Sequence, residues 1–443
     1  MKTRPFICCL ILALALAGAS LGSAQQPSQP SQGAAPVTAE DLVREATAAY
    51  QRSEYAKSVR LFQEAIAKGA RGMGVFYDAA CSAALAGDKE TAFQLLDKAL
   101  SAGWRNTEHL KSDSDLKSLH EDPRWAKAVT TSEAQQTKYI KEHSDPNRVQ
   151  FVTEDIGRFW LAYDKAMAAK PEERAAIFQQ DYIAPGTIGL KDFGNSGRLD
   201  SKRLAATIER RANFYRAIRA LTSDLQKQRA DTIVAFRKLK ELYPEVVFPD
   251  AYFVIGQMQS GGTASANGLL MGAEMFTRAP GTPMDELNDW AKKGLMEPNE
   301  IPPLVTHEAV HFQQRYPLQG GLLCHCLKEG SADFLGELAS GRLIVRMQNT
   351  HVWANARERE LWDEFQKDVT IPANAGRWFT GGSADRPVDL GYWMGYKISE
   401  AHYKNATDKK QAIRDLLLVK DCQQLLNASR YAEKFSGAAP TPK

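Results

Sequence analysis

Apolar positions along most of this chain recur three and four residues apart, the spacing of one helix face, and only one stretch breaks that rule. Between Ala39 and about Ala102 the pattern repeats. Ser58, Phe62 and Ala65 are matched 34 residues later by Ala92, Leu96 and Ala99, and Tyr50 by Ala84. Small residues at Ala84 and Ala92 let two helices approach closely, and Gly87-Asp88 turns the chain between them. Leu110, Leu116 and Leu119, between Trp104 and Trp125, predict a cap or a degenerate third unit. Thr131 to Asn147 is polar and contains Ser144-Asp145-Pro146, which predicts a junction. Beyond it, Glu154 to Leu242 reads as helical, with Ile156, Phe159, Trp160 and Tyr163 on one face and a long amphipathic helix over Leu204 to Leu225. Pro249 to Phe276 is the exception. Ala251 to Gly256 predicts a strand, Gln259 to Thr263 a loop and Gly268 to Glu274 a second strand. Helical spacing then resumes. Pro302 and Pro303 fit only a first turn, so a helix should start there and end near Tyr316, ahead of Pro317. Lys409 to Leu418 and Asp421 to Ser429 read as closing helices.

The 34-residue period resembles tetratricopeptide (TPR) repeats, which implies a concave surface for a protein or peptide partner. The expected fold is mainly α with a small β-sheet: TPR-like helical repeats followed by a zincin-like α+β domain. Its expected divisions are a signal peptide at 1–24, a flexible linker at 25–37, the repeats at 38–132, the second domain at 150–433 and a loose tail at 437–443.

Composition adds compartment. Lys2 and Arg4 precede an apolar run from Phe6 to Leu16, and small residues end at Gly22-Ser23-Ala24, the pattern of a secretory signal cut after Ala24. The run is too short for a membrane span, and Cys8 and Cys9 lie too early in it for lipid attachment. The expected location is exported, periplasmic or secreted, in a bacterium. Loss of Lys2 and Arg4 lowers the formal charge from +3 to about +1, which gives no electrostatic reason to expect nucleic acid. Cys81, Cys324, Cys326 and Cys422 remain, and an oxidising compartment permits disulfides among them without fixing the pairing. Cys324-His325-Cys326 lacks the second cysteine pair of a structural zinc site.

The candidate chemistry lies in Thr306-His307-Glu308-Ala309-Val310-His311-Phe312. Residues four apart share a helix face, so His307 and His311 can aim both imidazoles at one point, with Glu308 beside them. Zn²⁺ takes such ligands and needs a third. Glu329, 18 residues after His311, begins Glu329-Gly330-Ser331-Ala332-Asp333 on a second helix. Glu329 supplies the third ligand, and Asp333 accepts the remaining N–H of a ligating histidine, His307 first. His325, in the connection, is the other third-ligand candidate. Glu308 stands as the general base to a zinc-bound water. Gly261-Gly262 has no Lys-Ser/Thr after it and is not a phosphate loop.

HExxH followed by ExxxD resembles the gluzincin pattern. Together with Gly261-Gly262-Thr263, Gly272-Ala273-Glu274 and Gly391-Tyr392-Trp393-Met394-Gly395-Tyr396, in this order, it resembles a little-characterised bacterial family of predicted zinc-dependent proteases over roughly Phe151 to Tyr431. The resemblance implies an exported zinc metallopeptidase, a hydrolase of peptide or protein substrates. It also implies that Gly268 to Glu274 is an edge strand receiving substrate, with Tyr392, Tyr396 or His402 as oxyanion donor. Two alternatives stand beside it: a TPR-type binding protein whose zinc-bearing domain is inactive, and a zinc hydrolase acting on something other than peptides.

Overall fold

The computed structural model describes residues 37–317, 320–383 and 385–436. The expected signal peptide, the linker up to residue 36 and the tail from 437 lie outside the described residues. The chain divides into two compact units, one ending at Glu142 and one beginning at His143. It is mainly helical, with one four-stranded sheet among the described residues.

In the first unit four helices run as two pairs: α1 (Ala39–Gln51) with α2 (Tyr55–Ala67), and α3 (Met73–Leu85) with α4 (Lys89–Ser101). Thr38 and Asp41 open α1 as a reciprocal cap: each backbone N–H is taken by the other's side chain, at 3.1 Å both ways. Asp88 caps α4 by accepting the Thr91 N–H. Ser58 sits at the joint of three helices, donating to the Ala46 carbonyl at 2.9 Å and meeting the Ser82 hydroxyl at 3.0 Å. Leu110, Leu116 and Leu119 are fully buried against these pairs, from α5 (Thr107–Ser112) and the 3-10 turn that follows. The polar stretch from Thr131 to Asn147 contains the division between the units, at Glu142 and His143, but its first part is helical. Helix α6 (Pro123–Glu142) runs straight through it, held by Ser132 on Thr107 at 2.9 Å and by Gln135 on the Leu100 carbonyl at 2.8 Å. Its polarity belongs to an exposed helix face.

The second unit is built on a sheet of order β1-β2-β4-β3. β1 (Phe151–Val152), β2 (Ala251–Val254) and β4 (Gly268–Gly272) are parallel, and β3 (Gly262–Ser265) pairs antiparallel with β4. Two expectations fail here. Gly268 to Glu274 is not an edge strand, because β4 is buried along its whole length between β2 and β3. The edge strand beside it is β3, whose Gly-Thr-Ala-Ser sequence lacks the apolar alternation that marks a strand. Helix α7 (Glu154–Ala168) buries Ile156, Phe159, Trp160 and Tyr163 as its spacing requires. The long helix expected over Leu204 to Leu225 is instead broken at Arg211 and Ile218. The Glu286 carboxylate explains the first break, accepting the N–H groups of Asn213 and Phe214 at 3.2 and 2.9 Å and so capping a new helix start.

Three later helices carry the candidate chemistry. α8 (Ile188–Asn195) lies on the sheet, α9 (Ile301–Gln313) holds the two histidines, and α10 (Gly321–Ser340) holds Glu329 and Asp333. Cys324-His325-Cys326 lies inside α10, not in an inter-helix loop. α11 (Leu390–Asn405) crosses α10 at backbone contact. A Cβ on Gly330 would fall 2.0 Å from the Tyr396 nitrogen, and one on Gly395 would fall 1.7 Å from the Cys326 carbonyl oxygen, so only glycine fits at either position. The stretch Gly391 to Tyr396 is therefore a packing face against α10, the helix that carries Glu329. Two closing helices, Lys409–Leu417 and Cys422–Ser429, follow, and a disulfide joins Cys324 to Cys422. Cys81 and Cys326 are buried free thiols.

Candidate metal centre

Helix α9 begins with Pro302 and Pro303 in its first turn, where their missing N–H groups cost nothing. Ile301, Val305, Ala309 and Val310 are fully buried, which sinks the adjacent His307 and Glu308 into the unit. The one-turn spacing brings the His307 and His311 rings to 4.5 Å between centroids, and α10 lays Glu329 opposite them. Donor atoms of His307, His311 and Glu329 all lie within 4.8 Å of one another. His311 Nε2 is 3.1 Å and His307 Nε2 3.8 Å from Glu329 Oε2. A tetrahedral zinc ion with bonds of about 2.1 Å spaces its donors by about 3.4 Å, so the two distances bracket what such an ion requires.

Proton positions support the same reading. His307 Nδ1 approaches Asp333 Oδ1 to 2.8 Å, and His311 Nδ1 meets Gln314 Oε1 at 2.7 Å. The Gln314 amide is oriented by its own donation to the Lys328 carbonyl at 2.7 Å and the Ser331 hydroxyl at 2.9 Å, so its oxygen must face His311. An amide oxygen only accepts. His311 therefore carries a proton on Nδ1, and in the neutral imidazole its Nε2 is the electron-pair donor that faces the Glu329 carboxylate. At 3.1 Å from the carboxylate oxygen, His311 Nε2 is held either by its own proton or by a cation between the two, and the donor set fits a divalent transition metal.

Electrostatics follow from burial and neighbours. Burial pulls the His307 pKa down, but the Asp333 carboxylate outweighs it and the value rises to about 9. Burial raises Glu329, and the charges of His311 and His307 more than reverse that, leaving it well below the usual carboxylate range. Glu308, buried and outside the donor set, is raised by desolvation. It presses against the edge strand: a Cβ on Gly262 would come within 2.7 Å of Glu308 Oε1.

Of the other candidates, His325 is exposed and stacks on Phe379 at 3.8 Å, with its Nε2 4.0 Å from Glu329 Oε1, outside the converging donors. Tyr396 donates to Glu337 and His402 meets Asp415 at 3.1 Å, so both are engaged elsewhere. Tyr392 alone of the three borders the centre, its ring 6.2 Å from His307. Sequence reasoning missed Gln314. Its only signal was its place three residues after His311, one helical turn on.

A family model described as "Gliding motility protein GldB", a lipoprotein family, matches residues 136–433, about two thirds of the chain. The chain belongs to the GldB family. No curated protein and no solved structure matches it. Membership in the GldB family overturns the resemblance to predicted zinc proteases, and with it the expected zinc metallopeptidase, the hydrolase activity and the gluzincin assignment. The physical reason is that the His-Glu…Glu…Asp spacing specifies where donors stand on two helices, not what reaction takes place between them. GldB is a family associated with the cell envelope, and among the described residues no helix is long and apolar enough to cross a membrane.

Proposed function

We propose that this GldB-family chain works at the cell envelope, in the gliding motility for which its family is named, as a metal-binding component. His307, His311 and Glu329 hold one divalent ion, Zn²⁺, and Asp333 and Gln314 orient the two histidines. The observation that carries the reading is the convergence of two histidine Nε2 atoms on one carboxylate, with His311 Nδ1 tied to Gln314 and His307 Nδ1 2.8 Å from Asp333. When bound, the ion supplies a positive centre with room for an oxygen donor. Glu308 is the acid–base carboxylate beside it, placed to take the proton that an acidic ligand gives up on docking.

The finer parts of the proposal are these. The chain is exported to the periplasm or beyond, which the Cys324–Cys422 disulfide supports, since such bonds persist in oxidising compartments. The paired helices of the first unit are TPR-like and dock a protein partner, and the second unit is zincin-like in fold. Metal analysis of the full chain, purified without added metal, is expected to give about one zinc per chain, with His307→Ala and His311→Ala each losing it. A wild-type protein that neither carries zinc nor takes it up would overturn the reading.

A further inference from the structure

Behind His311 a line of polar side chains runs out of the centre to the closing helix Lys409–Leu417. Gln314 Oε1 meets His311 Nδ1 at 2.7 Å, and Gln314 Nε2 lies 2.9 Å from the Ser331 hydroxyl. That hydroxyl lies 3.0 Å from the Tyr316 hydroxyl, which in turn lies 2.9 Å from the Leu416 carbonyl. Gln314 and Ser331 are buried and Tyr316 is half-buried.

The protons along this line can be placed one by one. A carbonyl oxygen only accepts, so the Tyr316 proton goes to Leu416, the nearer of its two carbonyl contacts, with Leu327 at 3.3 Å. Tyr316 can then only accept from Ser331. Ser331, giving its one proton to Tyr316, can only accept from the Gln314 amide. The other N–H of that amide goes to the Lys328 carbonyl at 2.7 Å, which leaves the Gln314 oxygen to accept from His311. All four bonds therefore run the same way, outward from His311, and each polarises the next. The far end is fixed as well. The last carbonyls of a helix have no partner inside it, and here Tyr316 takes Leu416 while the Arg315 N–H takes Leu417 at 2.7 Å. Gln314, Arg315 and Tyr316 are consecutive, so the segment that leaves the histidine helix caps the closing one.

We propose that Ser331 and Tyr316 are positioning residues of the metal centre, passing the placement of the closing helix to His311 and so setting how tightly the centre holds its ion. This rests on the metal reading above. Coupling of this kind is reciprocal, so the ion steadies the closing helix just as the helix steadies the ion. A merely structural role for the two hydroxyls, in holding α9 and α10 together, predicts neither effect.

The test is a double-mutant cycle in the full chain, with zinc affinity read by competition against a chromophoric chelator. Ser331→Ala and Tyr316→Phe are each expected to weaken zinc by about three- to tenfold while one site per chain remains. The double variant should weaken it no further than the stronger single change, since either substitution opens the same line. Hydrogen exchange of the Lys409–Leu417 amides should slow when zinc is added to wild type and respond less in either variant. Denaturant unfolding of the metal-free proteins reports stability separately, so a variant that folds less well is not mistaken for one that binds less well. Unchanged zinc affinity in either single variant, losses that multiply in the double variant, or closing-helix exchange in wild type that zinc does not alter would each overturn the proposal. Failure of the metal reading itself is separately visible, as wild-type protein that takes up no zinc, and would remove the proposal with it.

Discussion

Two clusters of donor side chains in this molecule satisfy the same test of proximity and differ in what their atoms face. In the first unit, Cys81, Asp113 and Asp115 bring ligand atoms within 4.8 Å of one another, as His307, His311 and Glu329 do in the second. Asp113, however, is already filled. Its Oδ2 accepts from the Tyr77 hydroxyl at 2.9 Å and from Cys81 at 3.5 Å, its Oδ1 takes the Asp115 N–H at 3.0 Å, and Tyr50 donates to Asp115. The carboxylates there are acceptors met by hydroxyl, thiol and amide donors, which is a buried hydrogen-bond network closing the helix pairs. In the second unit the arrangement differs: His307 Nδ1 and His311 Nδ1 face Asp333 and Gln314, while both Nε2 atoms converge on one Glu329 oxygen. Donor proximity alone does not make a metal site. Convergence of histidine nitrogens and a carboxylate is the further requirement.

The strongest way to break this contrast is to remove metal. At ion concentrations about a thousandfold above its Kd, a bound ion stabilises the folded state by about 4 kcal/mol, so chelation should lower the unfolding transition of the second unit by about that amount. The transition of the first unit should not move. A chelator effect on the first unit, or none on the second, as read by calorimetry, would erase the distinction.

Glu274 sharpens it from another side. This carboxylate is fully buried in the second unit and, like Asp113, is filled by its own chain, accepting the Gly256 and Met258 N–H groups at 2.9 and 3.0 Å. Burial lifts its pKa from the ordinary 4.5 to about 7, against the pull of those two bonds. The folded value lies above the unfolded one, so its contribution is fully present below pH 4.5 and is lost as pH rises through about 7. Glu274→Gln should therefore cost most near pH 4.5, and its penalty should shrink by about 3 kcal/mol by pH 8. A penalty constant across that range, measured by denaturant unfolding, would contradict the assignment.

Smaller effects are expected one shell out from the ion. Asp333→Asn and Gln314→Ala should each lower zinc affinity by about 10- to 100-fold while leaving one site per chain, because they loosen ring orientation and leave the ligands in place. Competition against a chromophoric chelator measures this directly, and unchanged affinity would mean that the outward ties are incidental. Smallest of all, Tyr77→Phe should cost the first unit about 1 kcal/mol by removing one donor to Asp113, with zinc content untouched.

How much of this was legible beforehand depended on how local each feature is. The histidine pair and Glu329 with Asp333 are spacings within single helices, so composition and period reveal them directly. Gln314 gains its contacts with His311, Lys328 and Ser331 only when α10 closes against α9, and nothing in its immediate sequence marks it. The same divide runs through the fold. Ile156, Phe159, Trp160 and Tyr163 are readable as a buried face, whereas β3 is a strand only because β4 lies beside it. Cys324-His325-Cys326 reads as part of the connection in sequence, whereas α10 already begins at Gly321. Reaction chemistry was the least legible, since the two-helix donor geometry is present and yet the family it belongs to is not a protease family.

The Cys324–Cys422 bond spans 98 residues and anchors the helix that carries Glu329, five positions further on. That gives the centre a timetable. The helix that carries Glu329 cannot be fastened by this bond until the chain has been made past residue 422 and its thiols have met an oxidant, so the locking of that helix comes late in the making of the protein.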